Sequence, residues 1–288
     1  MKQILLQFDT DSHPSSFDRV VAIDAGVDEL FSYGAISAKN VTGLVHGAIF
    51  TRGPADLKNT AIFVGGSNVA AGEELQTAVT GSFFGPMQVS VMMDSNGCNT
   101  TAAAAIACVR KHVELSGTAS VVLGATGPVG QRAAELLALE GAHVTVVSRT
   151  QEKAEKAAAS IRTNINDSQV TAAAGSGSDE LLRICQGHRV IIAAGAAGVC
   201  FLPEGALAQL SDAKVAVDLN AVPPLGIADI GATDKAQETN GVICYGALGV
   251  GGLKMKVHKR AIARLFESNN LVLATREIYD IALQISAE

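Results

Sequence analysis

The sequence contains no tryptophan, and aromatic residues occupy only 4% of its 288 positions. Its five cysteines form no C-x-x-C pair and its six histidines are scattered, which argues against a zinc or iron–sulfur site and for reduced thiols. A net charge of −6 without a basic stripe argues against nucleic acid as a partner. No apolar run approaches the ~20 residues of a membrane helix, and the first residues lack a signal peptide's apolar core. We therefore expect a cytoplasmic protein that binds neither membranes nor nucleic acids and holds no metal.

Glycine, by contrast, is abundant, with 29 residues, and three of them define the most informative motif. A strand of β-branched residues leads into Gly124-Ala-Thr-Gly127-Pro-Val-Gly130, and an amphipathic helix follows. Glycines in such a turn permit positive φ and let the backbone approach a diphosphate closely, while the helix presents unpaired N–H groups to the anion. The spacing G-x-x-G-x-x-G is a variant of the usual fingerprint, so the strand before it and the helix after it carry the prediction of a dinucleotide site.

The residues that follow the next strand indicate which dinucleotide binds. An NAD site usually has Asp or Glu there to bind the ribose hydroxyls, but this chain has Ser148-Arg149-Thr150, with Lys153 one helical turn later. Hydroxyls and a guanidinium suit a 2′-phosphate, so the sequence favours NADP, with NAD as a second acceptor. The alternative is that Arg149 and Lys153 only begin a solvated helix.

Strand-like and helix-like segments alternate along the whole chain and predict an α/β fold. From Ser120 onward, strands near 119–123, 143–147, 169–173, 189–193 and 214–218 alternate with helices near 128–140, 151–163, 178–186 and 203–210. Earlier, strands are expected at 4–8, 47–51, 61–65 and 88–92 and helices near 14–32, 69–80 and 98–113; helices 254–267 and 274–285 close the chain. We predict a Rossmann-type parallel-sheet NADP domain over 106–255. A smaller α/β substrate domain is expected over 1–105, joined by helices within 256–288, with a cleft between the two domains.

Several segments together resemble one family, the bacterial NAD(P)-dependent methylene-tetrahydromethanopterin dehydrogenases of one-carbon metabolism. The resemblance covers essentially the whole length, and its most specific blocks are 94–101 and 246–256. It implies oxidation of a pterin-bound methylene group to the methenyl cation, with hydride passing to NADP, and a homo-oligomer that is a trimer or a dimer of trimers. The segments that carry it are Gln7–Asp11, Thr60–Gly66, Phe83–Pro86, Asp94–Thr101, Gly124–Gly130, Asn220–Ile227 and Gly246–Lys256.

Hydride transfer from an N–CH2–N carbon needs positioning and electrostatics more than an acid or a base, which fits a chain without a triad or a metal cluster. A carboxylate near the product cation would favour it, and Asp94 is our candidate. Its polar neighbours offer hydrogen bonds to a pterin edge, although the same cluster also reads as a helix cap with Asn99 or Thr100 as the capping residue. The predicted substrate-binding residues are Asp9, Asp11, Asp18, Ser95, Asn96, Asn99, Thr100 and Thr101.

Lys254 and Lys256 flank one methionine, and positions two apart on a helix diverge by ~200°, so only one faces a given site. We choose Lys256 as a catalytic or positioning group, with two solvated lysines as the alternative. Gly246–Gly249, Asn220 and Ala194 are expected along the dinucleotide. The full predicted cofactor set is Gly124, Ala125, Thr126, Gly127, Pro128, Val129, Gly130, Ser148, Arg149, Thr150, Lys153, Ala194, Asn220, Ala247 and Leu248.

Two other functions stay open from the sequence. One is an NADP dehydrogenase of the same plan that acts on tetrahydrofolate or on a shikimate-like hydroxy acid, for which a Lys–Asp pair such as Lys256 with Asp94 can be drawn. The other is a sensor that binds NADP without turnover. Fold alone does not separate them.

Overall fold

The computed structural model describes residues Met1–Glu288, which form nine α-helices and twelve strands. The strands are β1 (Ile4–Asp9), β2 (Glu29–Tyr33), β3 (Thr60–Gly65), β4 (Ser90–Met93), β5 (Ala119–Leu123), β6 (His143–Ser148), β7 (Val170–Ala174), β8 (Val190–Ala193), β9 (Val215–Asp218), β10 (Lys235–Thr239), β11 (Val242–Tyr245) and β12 (Val272–Leu273). The helices are α1 (Ser16–Asp24), α2 (Thr42–Ile49), α3 (Val69–Gly81), α4 (Cys98–Arg110), α5 (Pro128–Leu139), α6 (Gln151–Asn164), α7 (Ser178–Cys185), α8 (Ala247–Arg264) and α9 (Thr275–Ala287).

These elements divide into two compact units. The first comprises Met1–Thr100 with Met255–Glu288, and the second comprises Thr101–Lys254. Each unit has its own sheet. The assignment of the substrate to the first unit stays a prediction.

The sheet of the first unit has the order β12-β4-β3-β1-β2, and all its neighbouring strands are parallel. Every residue of β3 is buried, as are five of the six residues of β1, because helices cover both faces of the central strands. The apolar core on one side includes Phe8, Ile49, Leu75 and Met93. β2 lies at the open edge, and none of its residues is fully buried.

The sheet of the second unit has the order β10-β11-β9-β8-β5-β6-β7. Counted from β5, its six parallel strands follow the order 3-2-1-4-5-6, which is the doubly wound order of dinucleotide-binding sheets. The antiparallel strand β10 joins β11 through Asn240-Gly241, whose φ angles of 54° and 78° suit a tight hairpin turn. The strand order reverses between β5 and β8, where such sheets bind their ligand. The predicted α/β class with a Rossmann-type sheet is confirmed.

Four secondary-structure predictions need correction. Helix α1 ends at Asp24 rather than near 32, because Gly26 takes a φ of +93° and β2 follows. Residues 47–51 are not a strand but the end of α2, whose buried Val45, Ala48 and Ile49 have helical spacing. Residues 203–210 form turns around a short 3-10 helix, since the Asp229 carboxylate accepts N–H bonds from Gly205 and Leu207. Helix α8 begins at Ala247, seven residues before the predicted start at 254.

None of the nine helices has the length and apolar composition that a membrane span requires.

We predict opposite effects of alanine at two glycines inside α8. A Cβ at Gly249 would lie 1.8 Å from the Asp234 carbonyl oxygen, whereas a Cβ at Gly251 would meet no atom within 4 Å. Gly249→Ala should therefore lower the free energy of unfolding by about 1–3 kcal/mol through overpacking. Gly251→Ala should raise it by about 0.5–1 kcal/mol, because alanine loses less backbone entropy in a helix. Urea unfolding of both variants measures this, and equal midpoints would show that the close approach at Gly249 is not constrained.

Candidate functional site

The three motif glycines after β5 have different reasons to lack a side chain. Gly124 has a φ of +74°, and a Cβ on it would lie 2.9 Å from the Gly195 Cα at the end of β8. A Cβ on Gly130 would lie 2.6 Å from the Gly124 carbonyl oxygen, so Gly130 lets α5 pack close to the turn. Gly127 differs, because its φ is −77° and a Cβ there would find its nearest neighbours at an ordinary 3.4 Å. The protein itself therefore does not require glycine at 127, and a ligand that approaches the backbone would.

The amino end of α5 is open toward the same place. Gly127 is the N-cap residue, no side chain caps this helix, and Pro128 occupies its first turn. First-turn N–H groups without a capping side chain, together with the helix dipole, form a binding site for an anion. The N–H of Ala125 is already used, since it donates to the Val147 carbonyl at 3.1 Å.

A cavity of about 390 Å³ lies over this turn, within the second unit. Arg149 is the one charged residue in its wall, so the cavity favours an anionic ligand. The wall also combines backbone-rich glycine segments with apolar side chains, as ligand pockets commonly do. The lining residues are Gly124, Thr126, Gly127, Val147, Ser148, Arg149, Gly175, Ser176, Leu181, Ala194, Gly195, Ala196, Val199, Cys200 and Phe201.

Six of the predicted cofactor residues line this cavity, on the turn after β5 and at the ends of β6 and β8. They come from three separate stretches of sequence that the parallel strands bring to one edge of the sheet. The six are Gly124, Thr126, Gly127, Ser148, Arg149 and Ala194. The other predicted residues do not line it: Ala125, Pro128, Val129, Gly130, Thr150, Lys153, Asn220, Ala247 and Leu248.

Several of these other residues form hydrogen bonds within the protein, among them Thr150, Lys153 and Asn220. The Thr150 hydroxyl is the N-cap of α6 and accepts the Lys153 N–H at 3.4 Å. The Asn220 side chain donates to the Pro224 carbonyl at 3.1 Å and accepts the Val222 N–H at 3.0 Å, which fixes its own loop. The Asn220 N–H donates in turn to Asp218, a carboxylate whose pKa is raised by burial.

The block at 246–249 forms the first turn of α8 rather than a loop. A Cβ at Gly246 would lie 2.1 Å from the Gly231 carbonyl oxygen, so Gly246, like Gly249, lets this helix pack on the turn at 231–234. The Leu248 N–H donates to the Ala232 carbonyl at 2.8 Å, while the Leu248 side chain is 61% exposed. The glycines at 246 and 249 therefore have a packing role of their own.

The sequence analysis missed two stretches of the cavity wall. Gly175 and Ser176 follow β7, and the Gly175 N–H donates to the Ser148 carbonyl at 3.0 Å, which brings them beside Arg149. Because these two residues follow the strand predicted near 169–173, the sequence could have indicated them as part of the site. Val199 to Phe201 reach the cavity because the loop after β8 folds back, and a Cβ at Gly195 would touch the Phe201 ring at 2.4 Å. No local sequence pattern indicates that contact.

In the first unit, Asp94 caps helix α4. One carboxylate oxygen accepts the N–H groups of Asn99 and Thr100 at 2.8 and 3.0 Å, and the other accepts the Thr100 hydroxyl at 2.6 Å. Asp94 is 1% exposed, so in this conformation neither oxygen reaches a ligand. The polar cluster therefore caps helix α4, as the alternative interpretation of the sequence expected. The side chain that accepts the backbone N–H groups is Asp94 rather than Asn99 or Thr100.

Asn99 also belongs to this buried network. Its amide donates to the Met93 carbonyl at 2.7 Å and its oxygen accepts the Thr275 hydroxyl at 2.9 Å. The Ser95 hydroxyl donates to the Gly65 carbonyl at 3.2 Å, which connects the ends of β3 and β4. The cluster thus joins α9 and two strand ends through satisfied buried polar groups.

The three carboxylates at and after the end of β1 differ in burial and in hydrogen-bond partners. Asp9 is fully buried and accepts the N–H groups of Asp11 and Ser15 at 2.9 and 3.0 Å. Asp11 is half-buried and accepts both the N–H and the hydroxyl of Ser67. Asp18 keeps 14% of its side-chain surface exposed, and its carboxylate lies 4.0 Å from Nε2 of the buried His258, which stacks on Phe63.

The predicted substrate residues thus form two groups. Asp9, Ser95, Asn99 and Thr100 are buried with Asp94, and their polar atoms bond inside the protein. Asp11, Asp18, Asn96 and Thr101 remain at least partly exposed. Only the second group is open to a ligand in this conformation.

The two candidate lysines lie on different faces of α8. Lys254 is half-buried and one helical turn before His258, so those two residues share a face. Lys256 is exposed, about 200° around the helix from Lys254. The role predicted for Lys256 stays a prediction.

Cys200 offers a direct probe of the cavity, because it is the one cysteine of the five that is not buried. Burial raises the pKa of its thiol, with a further contribution from the Asp218 charge, so less thiolate exists at neutral pH. We expect one thiol per chain to react with iodoacetamide, at a rate that increases with pH, and NADP to slow this reaction. Mass spectrometry of the modified peptide measures it, with Cys200→Ser as the unreactive control. Equal rates with and without NADP would place the coenzyme elsewhere.

Comparison with known proteins assigns the family. The N-terminal domain of methylene-tetrahydromethanopterin dehydrogenase matches residues 16–96, and the saccharopine dehydrogenase NADP-binding domain matches residues 120–197. Bifunctional protein MdtA of Methylorubrum extorquens is 46% identical over 99% of both chains. The NAD(P)-dependent methylenetetrahydromethanopterin dehydrogenase of the same organism is 33% identical over 95% of both chains.

Solved structures support the fold. A shikimate 5-dehydrogenase from Listeria monocytogenes in complex with shikimate and NAD has a TM-score of 0.55 at 13% identity, covering 97% of this chain and 96% of that one. A ligand-free 5-ketofructose reductase of a Gluconobacter species has a TM-score of 0.54 at 18% identity, covering 99% of both chains. At these identities the likeness concerns the fold alone. With the full-length relatives at 46% and 33% identity, the chain belongs to the family of NAD(P)-dependent methylenetetrahydromethanopterin dehydrogenases, and it is an oxidoreductase.

Proposed function

We propose that the enzyme oxidises methylenetetrahydromethanopterin to methenyltetrahydromethanopterin, and that the hydride, with its two electrons, passes to NADP. The observation that carries the proposal is the full-length match to a dehydrogenase named for this pterin, at 33% identity over 95% of both chains. Nitrogen lone pairs on either side of the methylene carbon assist the departure of the hydride, so the protein needs no acid or base for that step. Its contribution is to hold both partners in position and to stabilise the product cation.

The cavity of the second unit fits a dinucleotide. Gly127 leaves room for a diphosphate against the backbone, and the amino end of α5 supplies N–H donors that no side chain caps. We assign the 2′-phosphate to Arg149, since this residue lines the same cavity and no carboxylate in the cavity wall competes for it. NADP, when bound, supplies the hydride acceptor.

For the pterin we propose the exposed group of predicted residues in the first unit. Asp11 and Asp18 offer carboxylates that accept hydrogen bonds from the pterin's N–H groups and favour a nearby cation. The buried hydroxyl of Thr10 lies against Gly66, has no hydrogen-bond partner within the protein and supports a ligand at this strand end. Asp94, proposed earlier as the catalytic carboxylate, serves instead to hold the surrounding loop and helix.

We retain Lys256 as the lysine that positions the pterin, because its side chain is exposed within the block that carries the family resemblance. The Lys256→Ala variant should raise the KM for the pterin and leave the KM for NADP unchanged. Unchanged turnover and pterin KM would remove Lys256 from the site.

We also propose that the enzyme works in the cytoplasm as a homo-oligomer. All five cysteines are unpaired, which suits a reducing compartment. The oligomer rests on the family resemblance, which implies a trimer or a dimer of trimers.

The substrate assignment is tested by four parallel assays. Methylenetetrahydromethanopterin and methylenetetrahydrofolate are each offered with NADP and with NAD, and formation of the reduced nicotinamide is followed by its absorbance. We expect the highest kcat/KM with the methanopterin and NADP. Turnover of the folate alone would make the folate the substrate. Shikimate with NADP is assayed in addition, and NADP binding without turnover of either carrier or of shikimate would favour a sensor that binds NADP.

The Arg149→Gln substitution should separate the two coenzymes. Loss of a charge-assisted bond to the 2′-phosphate is expected to cost about 1.5–3 kcal/mol, which raises the KM for NADP by roughly 10- to 150-fold. The KM for NAD, which has no 2′-phosphate, should change little. Lys153→Gln is the matched control, since Lys153 lies outside the cavity wall. Equal increases for NADP and NAD in the Arg149 variant would rule out the 2′-phosphate role.

A further inference from the structure

The sheet of the first unit reverses its strand order at one place. From β1 the chain moves outward to β2, and it then returns to the other side of β1 and continues with β3, β4 and β12. Counted from β1, the strand order is 2-1-3-4-5, which is a second common order of doubly wound sheets. In such sheets the loops after the first and third strands diverge and leave a crevice that binds the ligand. The topology therefore indicates a crevice at the carboxyl ends of β1 and β3.

The residues that follow these two strands come close together. The Thr10 N–H donates to the Gly65 carbonyl at 3.4 Å, which joins the end of β1 to the end of β3. A Cβ at Gly65 would lie 3.7 Å from the Asp18 carboxylate. The N–H and the hydroxyl of Ser67 donate to the Asp11 carboxylate at 3.0 and 2.9 Å. Both partly exposed carboxylates that we assign to the pterin therefore lie at this crevice.

The hydroxyl of Thr10 has no role in the fold. Thr10 is partly exposed, but its hydroxyl oxygen is buried and forms no hydrogen bond within the protein. A Cβ at Gly66, whose φ is +111°, would lie 1.9 Å from that oxygen, so glycine at 66 leaves the space that the hydroxyl occupies. Buried polar groups in native proteins usually have a partner, because leaving one without a hydrogen bond is costly. Valine at position 10 would avoid this cost, so a ligand is the explanation for the hydroxyl.

The two carboxylates leave one kind of hydrogen bond unprovided. Ionised Asp11 and Asp18 only accept hydrogen bonds. The amide edge of a pterin ring carries N–H donors beside a carbonyl oxygen, so its full set of partners includes a donor as well. A threonine hydroxyl can donate, and rotation about χ1 moves it between staggered positions. Such a rotation takes the Thr10 hydroxyl out of its buried position beside Gly66.

We propose that Thr10 binds the substrate, and that its hydroxyl donates a hydrogen bond to the carbonyl oxygen of the pterin ring in the crevice between the ends of β1 and β3. Asp11, the next residue, accepts from the N–H groups of the same ring edge. This inference rests on the proposed pterin substrate, and it adds the donor that the carboxylates do not supply. The hydroxyl that lacks a partner within the chain gains one from the substrate.

The Thr10→Val substitution tests this, because valine keeps the shape of threonine and removes the hydroxyl. Loss of a neutral hydrogen bond should raise the KM for methylenetetrahydromethanopterin by about 3- to 10-fold and leave the KM for NADP unchanged. Thr10→Ser retains the hydroxyl and should keep the pterin KM near the wild-type value. The urea midpoint of Thr10→Val should rise, since a buried group without a partner is removed; a hydroxyl that served the fold would lower it on removal.

Thr77→Val is the matched control in the same unit. The Thr77 side chain is exposed on α3, and its hydroxyl donates to the Glu73 carbonyl at 2.9 Å. This variant should leave the KM values for the pterin and for NADP at their wild-type values.

A binding measurement separates this inference from the proposed reaction. Tetrahydromethanopterin should raise the melting temperature of the wild type more than that of Thr10→Val, whether or not a hydride is transferred. If this difference is present but neither carrier is turned over, the proposed reaction fails and the role of Thr10 stands.

The role of Thr10 fails by itself if the wild type turns over the pterin while Thr10→Val keeps the wild-type pterin KM and melting shift. Equal increases of the pterin KM in Thr10→Val and Thr10→Ser would also overturn it, because the hydroxyl is then not the group that matters. A wild type with neither turnover nor a melting shift would overturn both proposals.

Discussion

The close approach of two backbones at the centre of the second sheet governs the coenzyme site. Gly124 and Gly195 follow the neighbouring strands β5 and β8, and a side chain on Gly124 would collide with Gly195 at 2.9 Å. The strand order reverses at this point, so the loops that follow diverge and leave a cavity over the turn. Because Gly127 adds no side chain and α5 begins uncapped, the backbone itself forms the floor of an anion site. Arg149 then needs to contribute only one charge at the cavity wall.

In the first unit, the loops at the strand ends are held by hydrogen bonds of buried side chains rather than by close backbone packing. Both carboxylate oxygens of Asp9 and of Asp94 accept hydrogen bonds from the backbone or side chains around them. Asn99 connects α4 to α9 through a hydrogen bond with Thr275. Satisfied buried polar groups of this kind order a loop rigidly, because breaking any one bond leaves an unpaired polar atom in the interior. The partly exposed carboxylates of Asp11 and Asp18 are thus held in place by a fixed frame.

Much of the second unit could be predicted from sequence, because its motif and alternating strands are local patterns; β5 through β9 lie within one residue of their expected positions. The sequence patterns did not predict β2, β10, β11 and β12, which are edge or near-edge strands and are shorter or more polar.

Local sequence patterns gave a wrong prediction where the role of a side chain depends on its surroundings in the fold. Asp94 looks like a free carboxylate in a polar loop, but only the fold shows that three hydrogen bonds occupy it. The contribution of Cys200 and Phe201 to the cavity depends on a loop folding back, which no spacing encodes.

A crystal structure of the enzyme with NADP tests the central claim most directly. The account predicts the diphosphate against the backbone at Gly127, with N–H groups from the first turn of α5 within hydrogen-bonding distance. The 2′-phosphate should contact the Arg149 guanidinium. A coenzyme whose diphosphate binds away from this turn, or whose 2′-phosphate contacts other residues while Arg149 faces solvent, would contradict it.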